Sequence, residues 1–92
     1  MTHGTTERII FSGCVQGVGF RYTVHSLARR HPVAGYVRNL PDGTVELVAQ
    51  GNLAAINDLM AEVQRHFRHN IRNCERSPVT APETFDGFEI RS

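Results

Sequence analysis

The sequence contains no lysine: all ten of its basic residues are arginine. That excludes Schiff-base chemistry on a lysine and a lysine phosphate anchor. Cysteine is scarce too. Cys14 and Cys74 are too few for a disulfide framework, and their spacing is not that of a metal site. The five histidines are scattered. His66 and His69 lie three apart, but no cysteine or acidic residue stands at a ligand spacing from them, so no metal is expected. No apolar run approaches the length of a membrane span, and Met1 to Thr6 lacks the apolar core of a signal peptide. A cytoplasmic chain with no membrane partner is therefore expected. Charge of one sign is also missing: the formal net charge is +1. General attraction to nucleic acid or to anionic lipid is not expected at that balance. There are no repeats, linkers or low-complexity runs. The 92 residues predict a single domain, 1–92, with one modest core.

What is present is a clear alternation of periods. From Arg8 to Val15, Ile9, Phe11, Gly13 and Val15 share one parity, which predicts a strand with that parity facing the core. Phe20 to His31 has a helical period, with Phe20, Val24, Leu27 and Ala28 on one face. His25, Arg29 and Arg30 fall on the solvated side, and Pro32 ends the helix at or before His31. Ala34 to Leu40 and Thr44 to Gln50 predict two further strands. Pro41-Asp42-Gly43 turns between them, so they form an antiparallel hairpin. Asn52 is the expected N-cap of a helix from Leu53 to about Phe67, marked by Ile56, Leu59, Met60, Val63 and Phe67. Ile71 to about Ser77 predicts a polar edge strand. Ser77 to Glu83, with Pro78 and Pro82, predicts a loop. Phe85 to Arg91 predicts a last short strand.

The order βαββαβ plus a short C-terminal strand predicts an α+β, ferredoxin-like split β-α-β sandwich. The expected sheet is antiparallel, with two helices on one face burying Val24, Leu27, Ile56, Leu59, Met60 and Val63.

One stretch stands apart from this packing logic. Gly13 to Arg21 reads Gly-Cys-Val-Gln-Gly-Val-Gly-Phe-Arg, between a strand and a helix. Its glycines permit a left-handed backbone, and the helix start presents unpaired N–H groups at the positive end of a dipole. That is a description of an anion cradle, with phosphate as the usual guest. Arg21 opposes the helix dipole in the first turn unless an anion binds there. Asn39 ends the second strand on the face of Val37. In a split βαβ sheet the first two strands are parallel, so their C-terminal ends meet at one edge and bring Asn39 to the loop. Each feature alone has an ordinary reading: a tight connection, a surface arginine, a strand-end asparagine. Their convergence carries the functional one.

Val15-Gln16-Gly17-Val18-Gly19-Phe20-Arg21, then Gly35-Tyr36-Val37-Arg38-Asn39-Leu40 and Asp42-Gly43-Thr44-Val45-Glu46, closely resemble the acylphosphatases. Gly87-Phe88-Glu89-Ile90-Arg91 is similar to that family's C-terminal strand. The resemblance runs over essentially the whole chain and thins from Arg65 to Phe85. It implies a ferredoxin-like enzyme hydrolysing the carboxyl–phosphate anhydride of small-molecule acyl phosphates, with no metal or organic cofactor. By motif position, Arg21 would bind the phosphoryl group with the backbone N–H groups of Gln16, Gly17, Val18, Gly19 and Phe20. Asn39 would orient the attacking water. His31-Pro32-Val33, His69-Asn70 and Ser92 depart from the family's habits, away from the loop and Asn39.

Other readings stay open beside it. A carbamoyl-phosphate-handling module, such as opens the longer hydrogenase maturation factors, has a similar domain; the end of this chain at Ser92 favours the free enzyme. A non-catalytic phosphate- or acyl-phosphate-binding domain is a further alternative. An RNA-binding module is disfavoured because Phe11 has core parity and Tyr36 stands alone. Small size and balanced charge lead us to expect a monomer. The first and fourth strands should be neighbours with Cys14 and Cys74 on the uncovered face, where a cross-strand disulfide could form.

Overall fold

The computed structural model describes residues 4–80 and 84–92. The Pro82 end of the expected loop lies outside the described residues. The chain forms β1 (Thr5–Gly13), α1 (Phe20–Ala28), β2 (Val33–Asn39), β3 (Val45–Gly51), α2 (Leu53–His66), β4 (Ile71–Pro78) and β5 (Phe88–Arg91). One five-stranded sheet runs β4-β1-β3-β2-β5. The four longer strands pair antiparallel, as expected.

Alternation decides which face each strand buries. Ile9 and Phe11 of β1, Val37 of β2, and Val45, Leu47 and Ala49 of β3 are fully buried against the helices. The helices answer with Phe20, Val24 and Ala28 from α1 and Ala55, Ile56, Leu59, Met60 and Val63 from α2. Phe20 is the keystone at the start of α1. Its ring lies 5.1 Å from that of Phe11, edge-on, and 4.6 Å from that of Phe67. Such ring pairs add about 0.5–1.5 kcal/mol beyond their buried area. They fix the N-terminus of α1 to β1 and to the end of α2.

The caps follow the chemistry of their residues. Asn52 Oδ1 accepts from the N–H groups of Ala54 (3.0 Å) and Ala55 (3.4 Å), as its N-cap assignment requires. Helix α1 ends at Ala28, earlier than the His31 limit. There Arg30 N–H donates to Leu27 O and His31 N–H to Ala28 O, tightening the last turn before Pro32. His25 is half-buried rather than solvated, with its ring 6.3 Å from that of Phe88. His31 pairs with Glu62 at 2.9 Å and ties the α1–β2 connection to α2.

Two expectations are corrected. The sheet is mixed, because β5 pairs parallel with β2. The reason lies in the route. After β4, Val79 N–H donates to Thr6 O near the N-terminal end of β1. Phe85 N–H then donates to Gln50 Oε1, and Gly87 O accepts from Gly35, both at the N-terminal end of β2. The described contacts before and after the crossover both lie at this end of the sheet, so β5 starts beside the N-terminal end of β2 and runs in its direction. The second correction concerns the cysteines, both of which are free. Cys74 stands opposite Phe11 and packs against the core, while Cys14 N–H bonds to Asn70 O further along the pair. The register shifts between Ser12 and Gly13, and that bulge breaks the parity count that put both thiols on one face. Burial pushes the Cys74 thiol up from its ordinary pKa.

On the face of the sheet away from the helices, Glu46 is 3% exposed. Its two carboxylate oxygens accept from Arg8 Nε and Arg38 Nε, each at 2.6 Å. Burial alone would raise its pKa, but the two arginines outweigh that and hold the carboxyl below its ordinary value.

Candidate active site

The C-terminal ends of β1 and β2 do lie at the same edge: Phe11 and Asn39 both stand opposite Val45 of β3. Between β1 and α1 the chain forms the glycine loop. Gly17 (φ 79°) and Gly19 (φ 76°) are both left-handed, and Gly19 is the N-cap of α1. A Cβ at either position would meet nothing within 4 Å. The glycines are therefore needed for backbone conformation, which side chains disfavour by roughly 1–2 kcal/mol, and not for space. The N–H groups of Gln16 to Arg21 donate to no acceptor among the described residues, and no side chain caps α1. Donors left this way at a helix start form an anion site by hydrogen bonding and by dipole.

Val15, Gly17, Gly19, Phe20, Arg21, Tyr22, Asn39 and Ile90 line an open cleft of about 180 Å³ over this loop. The expected partners are thus together: the loop, Arg21 and Asn39 share one cavity. Asn39 Oδ1 is sealed from solvent and has no hydrogen-bond partner among the described residues. A buried, unpaired amide oxygen costs about 1–3 kcal/mol, so its persistence calls for a guest that completes it. Arg21 Nη1 donates to Arg91 O at 3.3 Å, a weak tether that leaves most of the guanidinium's donors for a ligand. No carboxylate, histidine or thiol is among the lining residues. Among the described residues, no three His, Cys, Asp or Glu side chains gather as metal ligands.

The role of the Gln16 side chain was not legible in the sequence. Its Nε2 donates to Leu40 O and to Thr44 O, both at 2.9 Å. One primary amide thereby bolts the loop to the β2–β3 turn, next to Asn39. The turn is itself stiffened by Asp42 Oδ1, which accepts from Thr44 N (3.0 Å) and Thr44 Oγ1 (2.6 Å). The Thr44 hydroxyl is the main reason the Asp42 carboxyl sits below its ordinary pKa. The available signal was chemical: Gln16 is the loop's one long polar side chain, and its NH₂ offers two donors from one atom. Tyr22 and Ile90 were also missed as cleft residues. Ile90 arrives only because β5 climbs towards this end, opposite Val37.

Fold and site together define a class: an α+β sandwich with a loop of unpaired N–H donors beside a buried, unpaired amide oxygen, and no titratable base among the residues lining the cleft. Comparison with known proteins makes this specific. The family model "Acylphosphatase" matches residues 7–90. A Caldivirga maquilingensis acylphosphatase is 41% identical over 97 aligned positions, covering 99% of this chain and 98% of that protein. The crystal structure of acylphosphatase from Bacillus subtilis superposes with a TM-score of 0.83 at 32% identity, covering 95% of this chain and 98% of that one. The T. kodakarensis HypF structure also matches, with a TM-score of 0.84 and 27% identity over 99% of this chain, but only 12% of its own length. The chain belongs to the acylphosphatase family.

Proposed function

We infer that the protein hydrolyses acyl phosphates to a carboxylate and inorganic phosphate, using the Gln16–Arg21 loop and Asn39. The observation that carries this reading is the unpaired Asn39 Oδ1, sealed in the cleft that the loop's free donors line. Family membership supports the reaction class.

The phosphoryl oxygens sit on the N–H groups of Gln16, Gly17, Val18, Gly19 and Phe20, with Arg21 gripping two of them. Asn39 Oδ1 accepts a hydrogen bond from the attacking water and aims its lone pair at phosphorus. The water oxygen forms the new P–O bond as the bond to the acyl oxygen breaks. The bonding pair leaves with the carboxylate, and the water's proton ends on phosphate or solvent. Phosphoryl transfer through a loose transition state asks for position and charge stabilisation more than for a base. The leaving carboxylate has a pKa of about 4, so it departs without protonation. A site without a titratable base therefore suffices, and Arg21 with the loop dipoles supplies the positive charge. This reading has no cofactor.

In this reading a monomer suffices to act on a small molecule, since the loop, Arg21 and Asn39 of one chain share one cleft. Unpaired Cys14 and Cys74 suit the reducing cytoplasm. Arg8 and Arg38 are engaged by Glu46, which counts against a nucleic-acid partner. No feature of the site favours a purely binding or carbamoyl-phosphate-handling module.

The test is hydrolysis of benzoyl phosphate in ¹⁸O-water, with and without chelator. The expected result is turnover that chelator does not change, with label in inorganic phosphate and none in benzoate. No turnover overturns the assignment; label in benzoate overturns attack at phosphorus.

A further inference from the structure

Five large hydrophobic side chains are exposed among the described residues: Val18 (46%), Tyr22 (71%), Leu53 (50%), Val79 (37%) and Ile90 (40%). Exposed apolar residues scattered singly are ordinary. Here two of the five line one cleft, and a third, Val18, belongs to the loop that forms it. Tyr22 and Ile90 line the cleft with Arg21 and Asn39, and Val18 lies between the two lining glycines. They come from three separate segments, the loop, α1 and β5, so a local run of sequence does not explain the grouping. An apolar rim around a polar cradle marks a site for a ligand with one end of each kind.

The reaction geometry fixes which end goes where. Asn39 lines the cleft, and its Oδ1 is buried rather than exposed at the mouth. Water held there attacks phosphorus from within, and the bond that breaks lies roughly in line on the far side. The acyl group therefore points outwards, past Arg21, onto Val18, Tyr22 and Ile90. A cleft of about 180 Å³ takes a phosphoryl group and little more, so any longer acyl chain rests on that rim. Apart from Arg21, no lining residue carries charge.

We propose that Val18, Tyr22 and Ile90 form an acyl-side subsite that selects acyl phosphates with an apolar aliphatic or aromatic acyl group over short or anionic ones. This rests on the hydrolase reading above. Burying a methylene fully is worth about fourfold in an equilibrium; on a half-exposed rim a little under twofold (about 1.8-fold) is expected, or about tenfold across four methylenes. Tyr22 also borders a shallow surface with His25, Ser26 and Arg29. Preference for an anionic acyl group, drawn to Arg29 there, is the outcome most opposed to the proposal.

The experiment compares kcat/KM of the full chain on acetyl, butyryl, hexanoyl, benzoyl and succinyl phosphate, with inorganic phosphate as competitive inhibitor. Hexanoyl and benzoyl phosphate should exceed acetyl phosphate by about tenfold, with succinyl phosphate no better than acetyl. Tyr22→Ser and Ile90→Asn should each reduce the hexanoyl-to-acetyl ratio at least about threefold. Tyr22 is mostly solvent-facing, so its replacement spares the core and keeps the test valid if the Ile90 variant misfolds. Equal use of acetyl and hexanoyl phosphate, preference for succinyl phosphate, or a ratio unmoved in the Tyr22 variant overturns the subsite alone. Failure on all five substrates overturns the hydrolase reading, and the subsite with it.

Discussion

Asn39 and Glu46 bury polar oxygens on neighbouring strands of the same sheet, and the molecule treats them in opposite ways. Both oxygens of Glu46 are taken by arginines, one on each flanking strand, at 2.6 Å. Asn39 Oδ1 has no partner at all among the described residues. The arginines differ in the same sense. Arg8 and Arg38 are bound to a carboxylate, while Arg21 has one carbonyl at 3.3 Å. Where polar capacity is saturated, the side chains hold strands together. Where it is left open beside unpaired N–H groups, the side chains offer hydrogen-bonding capacity to a ligand, as the proposed function requires. The comparison teaches that function here is read from unspent hydrogen-bonding capacity rather than from burial, since Glu46 is the more buried residue of the two.

The largest effect should fall on Arg21. Arg21→Ala should lower kcat/KM on benzoyl phosphate by at least about 10²–10³, the usual cost of removing a transition-state donor. Arg21→Lys should recover little of this, because an ammonium cannot reproduce the planar two-point grip. Urea midpoints of both variants should stay near that of the parent, as only a weak tether is lost. A large stability loss would place Arg21 with Arg8 and Arg38 as a structural residue.

Glu46→Gln should show the mirror image, with activity kept and stability reduced. Hydrogen bonds to charged groups are worth about 1.5–3 kcal/mol, and a loss in that range by urea denaturation is expected. The pH dependence has a definite sign. The folded carboxyl titrates below its unfolded value, so its stabilisation is present above that value, about pH 4, and is lost as pH falls through the folded pKa. The stability gap between parent and variant should close in acid. A gap that widens there would contradict the pairing.

Gln16 stands between the two kinds, as a side chain whose two amide donors are spent in serving an open site. Gln16→Ala leaves the loop's backbone donors in place but unbolts them from Leu40 and Thr44. About a tenfold fall in kcat is expected, with faster amide exchange confined to residues 15–21. The smallest effect belongs to Asp42→Asn, which weakens the turn under Asn39. Its activity should change within about threefold, since Thr44 can still donate to the amide oxygen.

Much of this division was legible in the sequence, for identifiable reasons. The sequence alone brings the loop and Asn39 together, because the direction of β1 and β2 follows from the hairpin and the crossover. The N-cap at Asn52 and the core of α2 follow from local chemistry and period. What escaped depended on long-range geometry. The direction of β5 is set by where the chain crosses the sheet, which a four-residue strand does not encode. The facing of Cys74 is set by a bulge that shifts the register by one residue, and parity counting cannot see it. The Gln16 bolt needs the carbonyls of Leu40 and Thr44 brought beside it from more than twenty residues away. Ile90 enters the cleft only through the parallel pairing of β5.

The contrast between spent and unspent polar groups is tested most directly at Asn39. The measurement is kcat of Asn39→Ala on saturating benzoyl phosphate. A fall of at least about 10² in the folded variant is the expected result, since the alanine cannot aim the water. A kcat within about twofold of the parent would show that the buried oxygen plays no part in the reaction, and would contradict the account.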